Sequence, residues 1–334
     1  MSSANPFLVE VSRGEMVESR HRGHWAVADA DGGLVESGGD VEAPAFPRSC
    51  VKPLQAIPLV ESGAAARFAC TTSELAIACA SHGGEQRHID TVGAWLARIG
   101  CTEHDLECGA HMPSSAGAAE TLIRAGAAPD QRHNNCSGKH TAMLAVCRHL
   151  GEETKGYIEP EHPHQRRVVV VFEAMLGVSL ARAPRGLDGC SLPQFGMPIA
   201  AIARAYARFA APDRLPAARA AACRALADAI RAEPFMLAGT GRFCTRAIDA
   251  CGGKAVVKTG AEGCYVAAIP ARGIGIALKI DDGAARAAEA AMAHLLIRHA
   301  GLDDAGQARV RALVAPLTNV AGRRVGAIDA APNW

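Results

Sequence analysis

Aromatic residues are scarce in this chain, with 3 Trp, 3 Tyr and 8 Phe among 334 residues. A core of that size built with few large rings must be filled by small aliphatic side chains. That favours helices packed closely against sheets. An excess of one charge is lacking too. Lys and Arg total 35 against 34 for Asp and Glu, which leaves no net field to draw in nucleic acid or an anionic membrane. A small polar substrate suits this balance better than a polymer. No apolar run reaches the ~20 residues that a bilayer-spanning helix needs. The opening residues, MSSANPFLVEVSRGEMVES, lack the basic start and apolar stretch of a secretory signal. The expectation is a cytoplasmic protein.

Cysteine is not scarce, with 12 residues, but no two of them stand as Cys-x-x-Cys. In a reducing compartment they stay mostly reduced, and in so long a chain they do not form a regular disulfide framework. Most read as small buried hydrophobes. The histidines at 82, 88, 111 and 133 read as loop or surface residues.

Hydrophobic periodicity gives a coarse map. Phe7 to Val11 and His24 to Ala28 alternate as strands, and a further short strand follows the Asp31-Gly32-Gly33 turn near Leu34. Beyond Pro47 the pattern turns helical. The spacing predicts helices from Lys52 to Glu61, from an N-cap at Ser73 through Ala80, and from Ile89 to Ile99. Residues 101–135 read as loop. Helices are then predicted up to Leu150, from His164 to Leu176, from Pro193 to Phe209 and from Pro216 to Glu233. Three strands follow, at Lys254 to Lys258, Cys264 to Ile269 and Gly273 to Ile280, before a helix from Ala284 to His299. The expected fold class is α+β: strands at both ends of the chain around one mostly antiparallel sheet, flanked by helices with a helical subregion. No repeat and no Pro/Gly/Ser linker marks a boundary, so residues 1–334 read as a single catalytic unit.

Chemistry concentrates in a few short strings. Ser49-Cys50-Val51-Lys52 follows a proline and opens a predicted helix. A hydroxyl and an amine three residues apart share one helical face, and a neutral amine there can take the hydroxyl proton. A Ser-x-x-Lys string recurs by chance in long chains. Here its weight comes from order, because Ser81-His82-Gly83 and Lys258-Thr259-Gly260 follow it, as in serine acyl-transferases and β-lactamases. Lys258 ends an apolar strand, which is the usual place for a solvated terminus. Paired with Ser81 it could instead act as a second proton shuttle. Cys136 and His140, four apart, with Cys190 further on, suggest a soft-ligand metal site. Read alone, a cysteine beside a helix start is more often a buried apolar residue.

Taken together, Arg48-Ser49-Cys-Val-Lys52, Ser81-His-Gly-Gly, Asn135-Cys136-Ser-Gly-Lys139-His140, Leu187-Asp188-Gly-Cys190 and Lys258-Thr-Gly-Ala-Glu-Gly resemble the rhizobial-type L-asparaginases, the asparaginase II family. The resemblance runs along nearly the whole chain with the motifs in order. It implies a fold related to serine β-lactamases and penicillin-binding proteins, a homodimer, and hydrolysis of L-asparagine. It places two Ser-Lys tandems on Ser49 with Lys52 and on Ser81 with Lys258. It also implies zinc held by Cys136, Lys139 and Cys190, and puts Arg48, His140 and Asp188 around the substrate. Two rival readings use the same residues. One is a β-lactam-binding or D-peptide-processing serine acyl-transferase, and the other is a non-catalytic zinc protein in which the serines are incidental.

Overall fold

The computed structural model describes residues 4–314, 316–332 and 334. The chain opens with strands β1 (Phe7–Arg13), β2 (Met16–Asp29), β3 (Leu34–Gly38) and β4 (Pro44–Ala45). A 3-10 turn at Arg48–Val51 leads into helices α1 (Lys52–Gln55), α2 (Ile57–Glu61), α3 (Ala64–Arg67), α4 (Thr72–Ala78) and α5 (Gln86–Arg98). Next come α6 (Ala116–Arg124), α7 (Ser137–Leu150), α8 (Pro163–Leu176) and the short strands β5 (Arg185–Leu187), β6 (Pro193–Phe195) and β7 (Met197–Pro198). Helices α9 (Ile199–Ala210), α10 (Ala217–Ala232), α11 (Pro234–Ala238) and α12 (Phe243–Ala250) precede β8 (Val256–Thr259), β9 (Cys264–Ile269) and β10 (Ile274–Ile280). The chain ends with α13 (Ala285–His299), α14 (Asp304–Arg311), β11 (Leu317–Thr318) and β12 (Arg324–Ala330). The fold class is α+β, and the strand pairings described are antiparallel.

Two compact units make up the chain, one from residues 1–50, 196–211 and 246–334, the other from 51–195 and 212–245. The first is built on an eight-stranded sheet ordered β11-β12-β1-β2-β10-β9-β8, with β3 also on β2. Strand β2 serves three neighbours: Met16–Arg22 pairs with β1, Gly23–Asp29 with β10, and Trp25–Ala28 also with β3 on its other edge. Gly23 sits at the change of partner, where a Cβ would lie 2.4 Å from the Lys279 carbonyl oxygen. Strand β9 is buried at every position and β10 at all but one. Both sheet faces are therefore covered there, unlike the half-wet faces usual in antiparallel sheets. Helices α9 and α13 pack on these strands. The approach of α9 is close enough to require glycine at 275, since a Cβ would stand 2.1 Å from the Ala207 nitrogen.

The second unit is helical apart from the β5–β6 hairpin. At its centre α7 is buried continuously from Ser137 to Cys147, including the polar Ser137, Lys139, His140 and Thr141. Helices α2, α4 and α5 pack against α7, while α10 packs on α2 and α4.

Several local expectations change. The helix predicted from Lys52 to Glu61 is two short helices joined at Ala56, because Pro58 has no N–H to continue the ladder. Thr71, not Ser73, caps α4: its hydroxyl accepts from the Glu74 N–H while the Glu74 carboxylate accepts from the Thr71 N–H. That reciprocal arrangement outweighs a lone serine two residues later. Pro193 to Phe195 pairs as β6, and Pro198 holds the start of α9 back to Ile199. Helix α6 lies in the segment read as loop. None of its residues is buried, so it has no core-facing stripe for the pattern to reveal.

The close α9–β10 approach makes a direct prediction. Gly275→Ala should destabilise the protein by ~2–3 kcal/mol, because the added methyl meets backbone rather than a movable side chain. A urea midpoint within error of wild type would contradict the packing described.

Candidate active site

Within the first unit, the turn carrying Ser49 and the end of β8 carrying Lys258 are neighbours. The Cys50 thiol points at the Lys258 carbonyl oxygen, 3.6 Å away. Gly260 allows this approach, since a Cβ there would lie 2.5 Å from the Pro47 oxygen and 2.9 Å from the Cys50 sulfur. The Tyr206 hydroxyl donates to the Cys50 carbonyl from α9. Arg48 takes a left-handed backbone at φ 51°, a strained geometry for a side chain of that size and one that tends to gather at functional sites. Ser49 is half-buried. Lys258 is 1% exposed, unlike the solvated strand end that its position suggests. Its ammonium donates to the Thr259 carbonyl at 2.8 Å.

Within the second unit, Lys52 opens α1 and is also 1% exposed. Its Nζ has three oxygen partners: the Ala80 carbonyl at 2.7 Å, Ser81 Oγ at 2.8 Å and Asn135 Oδ1 at 3.5 Å. Ser81 follows the end of α4, and its own N–H donates to the Leu237 carbonyl at 3.0 Å. The next residue anchors the loop from the other side. The His82 N–H donates to the Asn135 carbonyl, and Nδ1 of its ring accepts from the Gly84 N–H at 3.2 Å. That leaves Nε2–H to donate to Ser137 Oγ at 2.9 Å. His82 stacks on His88, and His88 stacks on Phe235. Both histidines are buried, so the surface reading fails for them: every ring nitrogen of the pair has a partner, which makes burial affordable.

The start of α7 supplies the other cluster. Gly138 lets α7 approach α4, since a Cβ would stand 2.4 Å from the Ile77 carbonyl oxygen. Lys139, 1% exposed, donates from Nζ to Cys190 Sγ at 3.1 Å. Cys136 lies beside them, its thiol 3.0 Å from Asn135 Oδ1. A hydrogen bond from the Cys136 thiol, reinforced by the Lys139 charge, holds Cys190 well below the ordinary thiol range against the cost of burial. That same bond, together with burial, pushes Cys136 up. Burial opposes the charge on Lys139, but the neighbouring sulfurs outweigh it and raise its pKa. The result is a buried thiolate–ammonium pair with a neutral thiol alongside. Ser191, next to Cys190, is a second left-handed non-glycine, at φ 68°.

His140 faces the same cluster. The Glu107 N–H donates to the Tyr157 hydroxyl at 2.9 Å, and that hydroxyl is hydrogen-bonded to His140 Nδ1 at 2.7 Å. His140 Nε2 is a buried atom with no protein partner among the described residues. Burial and then Lys139 push the His140 pKa down to about 3. Asp188, half-buried in the β5–β6 turn, accepts from the Gly189 N–H and from Gln194.

Sequence reasoning gave no role to Asn135, Ser137 or Tyr157, although the first two stood inside a motif that it used, and it read His111 only as a loop or surface residue. A buried tyrosine in a chain with three offered the only signal for Tyr157. Among the described residues, another group of potential metal ligands gathers at Cys147, Glu152 and His162, but its donors are engaged. His162 accepts from the His164 N–H and donates to the Glu153 carbonyl, and Glu152 pairs with Arg167. An open cavity of about 740 Å³ adjoins the Gly83–Glu85 loop and includes neither Ser81 nor Lys52 in its wall.

Acid should unfold the helical unit early. His82, His140 and His164 are buried, and their pKa values fall below the ordinary 6.5, to about 3 for the last two, with burial the largest cause. The unfolded chain takes up protons near pH 6.5 that the folded one refuses. Stability is therefore complete above that pH and is lost as pH falls toward 3, by up to ~1.4 kcal/mol per pH unit per histidine. Urea midpoints at pH 7 and pH 5 measure this. His164→Leu removes two unpartnered buried nitrogens and should flatten the slope, and an unchanged slope would contradict the account.

No curated protein matches the chain. The family described as L-asparaginase II matches residues 9–330, an extent that takes in each of the motifs described above. The chain therefore belongs to the L-asparaginase II family and is an L-asparaginase, an amidohydrolase acting on a linear amide.

Proposed function

We propose that the chain hydrolyses the side-chain amide of free L-asparagine to L-aspartate and ammonia through a Ser-Lys acyl-enzyme. The observation that carries this reading is the buried Lys52 amine 2.8 Å from Ser81 Oγ. An amine held by two carbonyl oxygens beside a hydroxyl is a proton-transfer pair. Ser49, three residues before Lys52, is the nucleophile. Neutral Lys52 takes its proton, and the oxygen attacks the amide carbon. The proton passes through Ser81 to the leaving nitrogen, and ammonia departs. Water then attacks the β-aspartyl ester with Lys52 again as base. In this reading backbone N–H groups at the Ser49 turn stabilise the developing oxyanion. Lys258 is a second shuttle, a role that its sequence motif supports.

Arg48, Asp188 and His140 hold the substrate in this reading. His140 suits the task because its pKa keeps it neutral and its Nε2 has no protein partner among the described residues. Cys136, Lys139 and Cys190 would hold zinc. The donor set fits, since one sulfur is already a thiolate and the lysine nitrogen lies against it. A zinc ion there would supply fixed positive charge that orients the substrate. The β-lactamase-like fold and the homodimer belong to the same proposal, and light scattering tests the latter.

Ammonia release from L-asparagine by wild type, Ser49→Ala, Ser81→Ala and Lys52→Met tests the mechanism. Ser49→Ala should lose at least ~100-fold in rate, the scale of a removed activated nucleophile. Full activity in both serine variants sinks the proposal.

Zinc uptake by metal-free protein displaces protons from Lys139 and Cys136. Its apparent affinity, measured by chelator competition, should therefore rise about 100-fold per pH unit near neutrality. A pH-independent affinity would remove these residues as ligands, leaving the Ser-Lys chemistry standing.

A further inference from the structure

We infer that His111 is a positioning residue. It fixes the Asn135 amide so that the carbonyl oxygen, not the NH2 group, faces Lys52. The inference rests on the proton-transfer role proposed for Lys52.

The histidine's protonation follows from its partners. Nδ1 of His111 lies 2.7 Å from the Met112 carbonyl oxygen, which can only accept, so the proton is on Nδ1. Nε2 is then a lone-pair acceptor. It receives the Asn135 backbone N–H at 3.0 Å and lies 3.3 Å from Asn135 Nδ2. With the NH2 group drawn to His111, Oδ1 points the other way, toward Lys52 Nζ at 3.5 Å and the Cys136 thiol at 3.0 Å. Lys52 Nζ carries hydrogens in either protonation state, so the amide oxygen and not the NH2 group suits this face.

The orientation matters because of what a neutral amine has to offer: two hydrogens and one lone pair. The Ala80 and Asn135 carbonyl oxygens claim the two hydrogens. The lone pair is left for the remaining neighbour, the Ser81 hydroxyl at 2.8 Å. A flipped Asn135 would present N–H to that lone pair and occupy the base. His111 stands against the flip because it offers that face of the amide an acceptor and no donor. The same amide oxygen lies 3.0 Å from the Cys136 sulfur, so one side chain borders both the proton-transfer pair and the sulfur cluster.

A double-mutant cycle tests this in the full chain. His111→Leu removes the acceptor and keeps bulk, His111→Gln restores an acceptor oxygen near the Nε2 position, and Asn135→Ala removes the amide. His111→Leu and Asn135→Ala should each lower kcat by about 10- to 30-fold with KM within about twofold, while His111→Gln stays within about threefold of wild type. The combined His111→Leu, Asn135→Ala variant should be no slower than the worse single one, since both act through one group. Losses that multiply, or a His111→Gln variant as slow as His111→Leu, would overturn the inference. If Lys52→Met and Ser81→Ala keep full activity, the Lys52 reading fails and takes this one with it. Multiplied losses beside an inactive Lys52→Met sink the His111 arrangement alone.

Discussion

A lysine is almost never fully buried unless its charge or its hydrogens are answered. Here Lys52, Lys139 and Lys258 are each 1% exposed. Lys52 sets the strictest terms. Its acceptors come from three places: the Ala80 carbonyl past α4, the Ser81 hydroxyl, and Asn135 ahead of α7. Placing those atoms around one amine requires α4 and α7 to meet at close range. Gly138 permits that contact, and the His82–Ser137 bond and the backbone bonds of residues 81 and 82 hold it. Much of the polar character of α7's buried first turns follows from this requirement.

The two chemical clusters of the helical unit share one side chain and opposite electrostatic logic. Around Lys52 three uncharged oxygens gather. Around Lys139 sulfur gathers, and a thiolate holds the amine charged. Asn135 stands between them with its amide oxygen toward both. Identical side chains thus receive different duties from their surroundings, with aromatic residues in supporting positions. The tyrosine hydroxyls at 157, 206 and 265 all contact a polar group, so the few large rings also serve as polar anchors.

The strings of the candidate site were legible where chemistry needs a fixed spacing, and the scaffold was legible where periodicity is strong. Ser49 to Lys52, Cys136 to Lys139 and Lys258-Thr-Gly could be read as strings, and β9, β10 and α13 as patterns. Partners brought from afar could not be read. Nothing local says that Ser81 Oγ meets Lys52 Nζ, that a tyrosine hydroxyl meets His140, or that His111 faces Asn135. The two units escaped notice because neither is a continuous segment, and no flexible linker marks where the chain passes between them. Helix α6 escaped for a simpler reason, since it buries nothing.

Strand β1 lies between β2, which follows it at once, and β12, about three hundred residues later, with Val9 opposite Ala330 and Arg13 opposite Gly326. On a ribosome, at ~5–20 residues per second, the first strand spends on the order of tens of seconds with one edge unpaired. An open edge of that kind invites other strands. The sheet closes only when the last strand emerges. Completion of the first unit is therefore timed by the emergence of β12, while the helical segments of the second are already free to collapse.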